Sequence, residues 1–174
     1  NYIHRNYYEA ARYIYLGDKE AKVLKGTLIQ VFYYFYAALT ISAVIDKENF
    51  ENKKYYIKKL KEYNRIIKKW AQNCPTNYLS YYLIVQAETY RIESKYDKAE
   101  AFYDKAITVS IENQLFHNAA LANELAGEHY KSKGSKNLYK SYIISSYDFY
   151  KKWGAIMKLR QLEEKYGEFF QKLD

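Results

Sequence analysis

Turn residues interrupt a helical pattern at a regular interval in the second half of the chain. Ser94-Lys95 and Gly134-Ser135 occupy equivalent turns 40 residues apart. Between them, apolar residues recur at three- and four-residue steps, without the strict alternation typical of a half-buried strand. Short turns force neighbouring helices antiparallel, and a helix pair that recurs at a fixed offset indicates a helical repeat. We therefore expect an all-α fold, with antiparallel helix pairs stacked as an α-solenoid of about seven to eight helices.

Breakers and periodicity set the expected helix bounds. An opening helix from near Tyr2 is expected to break at Gly17-Asp18. A turn is expected at Asp46 to Asn49, and another at Asn73 to Thr76, since proline disfavours the αR conformation in its predecessor. The later helices are expected over about residues 19–45, 50–72, 78–94, 97–113, 117–133, 136–152 and 155–166.

A small–large pattern marks one helix pair most clearly. Ala87 and Tyr90 lie on its first helix, and Ala99, Tyr103 and Ala106 on its second. The alanines let the two helices approach, while the tyrosines fill the space beside them. This pattern resembles a tetratricopeptide repeat.

The repeat register gives the expected domain organisation. In the next repeat, which is degenerate, Tyr139 and Ser146 stand where Ala99 and Ala106 stood. We expect one helical-repeat domain over 1–174, made of divergent N-terminal helices (1–72), the clearest repeat (77–113), the degenerate repeat (117–152) and a C-terminal capping helix (155–173).

A closer resemblance rests on ordered strings between Trp70 and Phe170. They are Trp70-Ala71-x-x-Cys74-Pro75-x-Asn77, Ala87-Glu88-x-x-Arg91, Tyr103-Asp104-Lys105-Ala106-Ile107, Ala120-Leu121-Ala122-Asn123-Glu124-Leu125-Ala126, Tyr150-x-x-Trp153-Gly154-Ala155 and Leu162-Glu163-x-x-Tyr166. Together they resemble the helical region of very large signalling kinases. One departure is that Tyr166 precedes Gly167, where that family usually has proline.

The resemblance implies a position within a larger protein. In that family a serine/threonine-kinase-like domain and an AAA-type ATPase come before the helical repeats, and a GAF domain and a histidine kinase often follow. It implies a regulatory or scaffolding segment between catalytic domains, and it does not imply that this chain holds any of the parent's active sites. The chain also begins without methionine, and we expect it to be a segment of a longer protein.

Positive charge is concentrated on one expected helix. The net charge is +8, and the stretch from Glu51 to Trp70 holds eight basic and two acidic residues. One face of this helix is apolar, and the other carries a stripe that we call the basic face: Lys54, Lys58, Lys61, Arg65 and Lys68. It is either a solvated surface or a docking surface for an acidic protein, nucleic acid or anionic lipid. A single arginine favours an acidic protein over nucleic acid.

A second candidate surface is the concave groove of the stack. The first helix of each pair lines this groove, which the register assigns to Tyr81, Glu88, Arg91, Glu124, Glu128 and Lys131. Glu88 and Arg91 are one turn apart and can form an ion pair with each other, or pair with Glu124 across the interface between helix pairs. These residues form either a polar network between helices or a recognition surface for a peptide or domain. The lysine/asparagine clamp for a terminal carboxylate is absent, since Ile84 and Glu88 occupy its key positions.

Residues for catalysis, metals or cofactors are sparse. Lys25-Gly26-Thr27 resembles the end of a phosphate loop but lacks the upstream glycine, and the kinase strings His-Arg-Asp and Asp-Phe-Gly do not occur. His4, His117 and His129 lack the helical spacing of metal ligands. We therefore expect no cofactor, no metal and no catalytic residue in this chain.

These observations favour a non-catalytic interaction or signal-relay segment of a larger kinase or ATPase. Its expected partner is a neighbouring domain of the parent chain or an acidic protein surface. The alternative is a ligand- or peptide-sensing domain of a transcription regulator, since aromatic residues make up 19% of the chain and suit a pocket. The single Cys74 and the lack of a signal peptide or a long apolar run indicate a cytoplasmic protein without membrane insertion. Exposed repeat ends could also form a homodimer.

Overall fold

Helices with short connections make up nearly all of residues 7–45 and 52–170, which are the residues that the computed structural model describes. Within these ranges there is no β-strand, and the expected all-α helical-repeat fold is confirmed. The helices are α1 (Tyr7–Val23), α2 (Leu28–Val44), α3 (Lys53–Asn73), α4 (Pro75–Ile92), α5 (Tyr96–Glu112), α6 (Phe116–Ser132), α7 (Lys136–Trp153) and α8 (Ile156–Phe170).

The same turn ends four consecutive helices at 20-residue intervals. Its central residue has a positive φ: Ser94 (57°), Gln114 (57°), Gly134 (74°) and Gly154 (78°). After α4, for example, the Lys95 N–H donates to the Tyr90 carbonyl at 2.9 Å, and the Ser94 N–H donates to the Arg91 carbonyl at 3.0 Å. This pair of bonds is the Schellman motif, which satisfies the last carbonyls of a helix. Two such intervals give the 40-residue offset seen in the sequence.

Contacts divide the chain into two compact units, Asn1–Ala99 and Glu100–Asp174. In the first unit, α2 contacts α1, α3 and α4. It can do so because apolar side chains surround it, and Phe35, Ala38 and Ile41 are fully buried. The core of the first unit is therefore centred on α2.

The second unit has a core built from equivalent positions on α6 and α7. The buried residues Ala119, Asn123, Ala126 and Tyr130 on α6 are matched, 20 positions later, by Tyr139, Ile143, Ser146 and Tyr150 on α7. Gly127 lets the two helices approach, since a Cβ there would lie 2.9 Å from Ile143 Cδ1. Leu162, Tyr166 and Phe169 of α8 complete this core.

Two expected helix bounds near the start of the chain are wrong. α1 continues through Gly17 and Asp18. The Tyr33 ring packs where a side chain at Gly17 would stand, so this glycine makes room for the ring and does not end the helix. The expected helix over 19–45 is interrupted at Gly26, which has a φ of 83°, and Thr27 caps α2 by accepting a bond from the Gln30 N–H. The expected start at Phe50 and the turn at Asp46 to Asn49 lie outside the described residues.

Proline begins α4 instead of preceding it. Pro75 is the first residue of α4, where its fixed φ suits the helix and its missing N–H costs nothing. The sequence pattern instead predicts a start after a cap at Thr76 or Asn77. The remaining helices begin and end within a few residues of the expected bounds.

Candidate functional site

The basic face of α3 is exposed along its whole length. The opposite side of α3 is buried through Leu60, Tyr63, Ile67 and Ala71, which fixes the rotation of the helix in the first unit. All five residues of the basic face then point away from the core and are exposed: Lys54, Lys58, Lys61, Arg65 and Lys68. From its first lysine to its last, the face extends about 21 Å along the helix axis.

Three of these five cations have no partner among the residues that the structure describes. Lys61 Nζ lies 2.9 Å from a Glu93 carboxylate oxygen, and Lys68 Nζ lies 5.8 Å from the centre of the Tyr82 ring. Lys54, Lys58 and Arg65 form no ion pair or hydrogen bond with any residue in the described ranges. Their charges are therefore available to a binding partner.

Lys59 belongs to a different cluster, which joins α3 to α1 and α2. Its ammonium donates to Asp18 Oδ2 at 2.6 Å, while the Tyr63 and Tyr33 hydroxyls lie 2.6 and 3.0 Å from Asp18 Oδ1. Burial alone would raise the pKa of Asp18, but the bonds from Lys59, Tyr63 and Tyr33 outweigh burial and hold it below its usual value. The sequence pattern predicts Asp18 only as a helix breaker. No pattern of neighbouring residues predicts that Asp18 contacts α2 and α3.

The groove residues of the first unit make internal contacts. Glu88 is 4% exposed, and its carboxylate binds Arg91 Nη2 at 3.0 Å. Arg91 Nη2 also donates to the Ser42 carbonyl at 2.8 Å, which ties α4 to α2. The Tyr81 ring packs edge-on against Phe35, with the ring centres 4.7 Å apart. These residues therefore join α4 to α2 within this unit.

The groove residues of the second unit contact α7 and α8. Glu124 on α6 accepts from Lys158 Nζ at 2.9 Å and from the Tyr150 hydroxyl at 2.7 Å. One turn later, Glu128 binds Lys165 Nζ at 2.6 Å and accepts a bond from the Tyr166 hydroxyl. The polar-network interpretation thus describes the bonds found in each unit, and recognition of a peptide by these residues stays a prediction.

Lys131 is the exposed member of the groove set. Its ammonium lies 5.3 Å from the centre of the Tyr139 ring and 5.8 Å from that of Tyr166. It thus completes a row of contacts from α6 to α7 and α8, in which Tyr166 also donates to Glu128. The repeat register does not predict the two lysines of α8, Lys158 and Lys165, that bind Glu124 and Glu128.

The described histidines lie in aromatic surroundings. His117 is 5.6 Å from the Trp153 ring, and burial lowers its pKa. His129 Nε2 is 3.0 Å from Glu100 Oε1, which also binds Lys133. His4 lies outside the described residues. Across residues 7–45 and 52–170, no three histidine, cysteine, aspartate or glutamate side chains are grouped as metal ligands.

None of the helices that the structure describes is both long and apolar enough to cross a membrane. The chain matches no protein-family model, no curated protein and no solved structure.

Proposed function

We propose that this chain is a non-catalytic scaffold segment that binds an acidic protein surface through the basic face of α3. One observation carries the proposal: Lys54, Lys58 and Arg65 are exposed on one face of one helix and have no partner in the described part of the chain. A row of unpaired cations on a rigid helix attracts a surface of opposite charge and fixes its orientation.

An acidic protein suits this face better than nucleic acid or lipid. Nucleic-acid surfaces usually combine several arginines with exposed aromatic rings that stack on bases. The basic face has Arg65 alone among four lysines, and the Lys68 ammonium lies 5.8 Å from the centre of the Tyr82 ring. Lysine is a point charge without a fixed fork, which suits carboxylates spaced along another helix.

The attachment of α3 supports a role in relaying a signal. Lys59 joins α3 to Asp18 of α1, and Lys61 joins it to Glu93, the residue after α4. A partner that competes for Lys61 would leave Glu93 paired with Lys95 alone, which lies 2.7 Å from it. Docking on α3 would then alter the contacts of its neighbours. This mechanism accords with the resemblance to the helical segments of signalling kinases.

Chemical-shift mapping tests the proposal. A synthetic acidic helical peptide of about 20 residues is long enough to cover the whole basic face. Titrating it into the full chain should shift the amide signals of exposed α3 residues, and a peptide with glutamine in place of glutamate should shift none of them. Equal or tighter binding of single-stranded DNA or phosphatidylserine vesicles to the same residues would contradict a protein partner.

The non-catalytic part of the proposal has its own test. The purified chain should hydrolyse no ATP above the rate of a buffer blank, with or without Mg²⁺. Sustained turnover that stays with the chain through purification would contradict the proposal.

A further inference from the structure

An open surface pocket of about 470 Å³, which we call the cavity, lies in the first unit, where the turn between α1 and α2 meets α3. Lys25, Gly26, Gln30, Tyr34, Ile66 and Trp70 line it. A volume of this size is typical of pockets for small molecules. The cavity is separate from the basic face of α3, so its role is independent of the docking proposal.

The floor of the cavity is held in place by Gln30. This side chain is 8% exposed, and its amide nitrogen donates to the Ala21 carbonyl at 2.8 Å. Its amide oxygen accepts from the Gly26 N–H at 3.2 Å. These bonds fix the turn against α1, so the cavity is preformed. Gly26 leaves its side open, since a Cβ there would meet nothing within 4 Å.

Tyr34 provides an unused donor at this site. Its side chain is 5% exposed, and its hydroxyl forms no hydrogen bond with the described residues. The Tyr34 side chain is part of the cavity lining. A buried hydroxyl is normally bonded, and one that faces a cavity without a protein partner points to a ligand acceptor.

The walls of the cavity are formed mainly by aromatic and aliphatic side chains. The Tyr34 and Trp70 rings are 5.9 Å apart between centres, at 47° to each other, and Ile66 lies one turn before Trp70 on α3. Two tilted rings and an aliphatic side chain form a surface that suits a planar apolar body. The Trp70 indole N–H makes no hydrogen bond to the described residues and is a further donor.

The charge at the rim is positive. Lys25 is exposed and forms no ion pair with any described residue. The nearest acidic groups that act on Tyr34 are already engaged: Asp18 binds Lys59 at 2.6 Å, and Glu62 lies 3.3 Å from the same ammonium. The unsatisfied groups of the cavity are therefore one cation and two hydrogen-bond donors.

We propose that this cavity binds a small aromatic carboxylate of one or two rings. The ring system lies against Tyr34, Ile66 and Trp70, and the carboxylate accepts from the Lys25 ammonium and the Tyr34 hydroxyl. Apolar walls with a few convergent polar groups are the usual composition of such sites. The site gives the chain a way to sense a metabolite of this class.

Binding of 2-naphthoate to the full chain, followed by NMR with ¹⁵N labelling, tests this site. The Trp70 indole N–H signal should shift with a Kd of about 1 mM or tighter. The signal of Trp153, which is in the second unit, should stay in place. Lys25→Gln and Tyr34→Phe should each weaken binding about fivefold, as expected for one ion pair or one hydrogen bond. Lys19→Gln, which removes an exposed lysine of α1, should leave the Kd unchanged.

A neutral probe separates charge recognition from apolar binding. Naphthalene-2-carboxamide should bind wild type more weakly than naphthoate does, and Lys25→Gln should remove that difference. Both variants should stay folded, because neither substitution removes a bond found in the described structure. Thermal unfolding of each variant checks this. An unmoved Trp70 indole signal at saturating naphthoate, or equal binding by wild type and Lys25→Gln, would overturn the proposal.

Discussion

Lys158 on α8 and Glu124 on α6 form an ion pair of 2.9 Å in which each side chain is only 7% exposed. A charge at such a site is costly unless it is paired, so removing one partner leaves the other buried and uncompensated. The Tyr150 hydroxyl also donates to Glu124, at 2.7 Å, and supports the carboxylate. The pair therefore makes the position of α8 depend on α6.

Lys158→Met should lower the free energy of unfolding by about 3 kcal/mol, because it strands the Glu124 carboxylate. Urea denaturation of the full chain measures this change. The matched control is Lys165→Met, which removes a similar ion pair to Glu128 whose side chains are each 35% exposed. That control should cost less than about 1 kcal/mol. Equal losses from the two variants would show that Glu124 is not effectively buried.

The repeated Schellman turns predict opposite effects from two kinds of substitution. Ser94 and Gln114 have a φ of 57°, which costs a non-glycine residue about 1 kcal/mol, so Ser94→Gly and Gln114→Gly should each stabilise the fold by about that amount. Gly134→Ala and Gly154→Ala should each destabilise it by about 1 kcal/mol for the same reason. No atom lies within 4 Å of a Cβ added at Gly134 or Gly154, so steric overlap makes no contribution. Thermal unfolding of the four variants tests the pattern, and a loss of stability from both glycine insertions would refute it.

Gly17→Ala should destabilise the first unit although alanine favours helix. Its Cβ would lie 2.4 Å from Tyr33 Cε2, and moving that ring breaks the 2.7 Å bond from the Tyr33 hydroxyl to the Ile14 carbonyl. We expect a net loss of about 1–2 kcal/mol in chemical denaturation, since overpacking outweighs the gain in propensity. Gly167→Ala, where a Cβ would meet nothing within 4 Å, is the control and should lose no stability.

Stability should depend on acid pH through Asp18. The bonds from Lys59 and two tyrosines outweigh burial and lower the pKa of Asp18 in the folded state. A lowered pKa contributes stability that is complete above the pKa of the unfolded chain, about 3.9, and is lost as pH falls through the folded pKa. Asp18→Asn should therefore destabilise the chain at pH 7 and have a smaller effect at pH 2. The midpoint of urea unfolding at pH 7 and at pH 2 measures both effects. The control is Asp148→Asn, which removes an exposed carboxylate on α7 and should change the midpoint equally little at the two pH values.

The sequence was most informative where local and repeated signals agree. The bounds of α5 to α7 follow from periodicity and turn residues, and the positions equivalent to Ala99 and Ala106 are buried as the register requires. It was misleading at Gly17 and Asp18. A glycine that makes room for a neighbouring ring cannot be told from a glycine that ends a helix by the sequence alone. Contacts made by residues far apart in the chain decide between them.

The candidate site was predictable only in part. The exposure of the basic face followed from helix geometry, since Leu60 and Ile67 fix which side of α3 is buried. The role of Lys59 could not be predicted from helix geometry, because it depends on a bond to Asp18, 41 positions earlier. The cavity beside Trp70 likewise depends on a turn more than 40 positions away, and only the folded chain brings the two together.

Calorimetry with charge-reversed variants tests the docking face most directly. The α3 triple variant carries Lys54→Glu, Lys58→Glu and Arg65→Glu. The control triple variant reverses three exposed lysines of the second unit and has the same net charge; it carries Lys105→Glu, Lys136→Glu and Lys151→Glu. The ligand is the same acidic helical peptide of about 20 residues. We predict that wild type and the control triple bind it with a Kd that weakens about tenfold between about 50 and 200 mM NaCl, and that the α3 triple does not bind. Equal binding by the two triples would show that net charge, and not the basic face of α3, recognises the acidic partner.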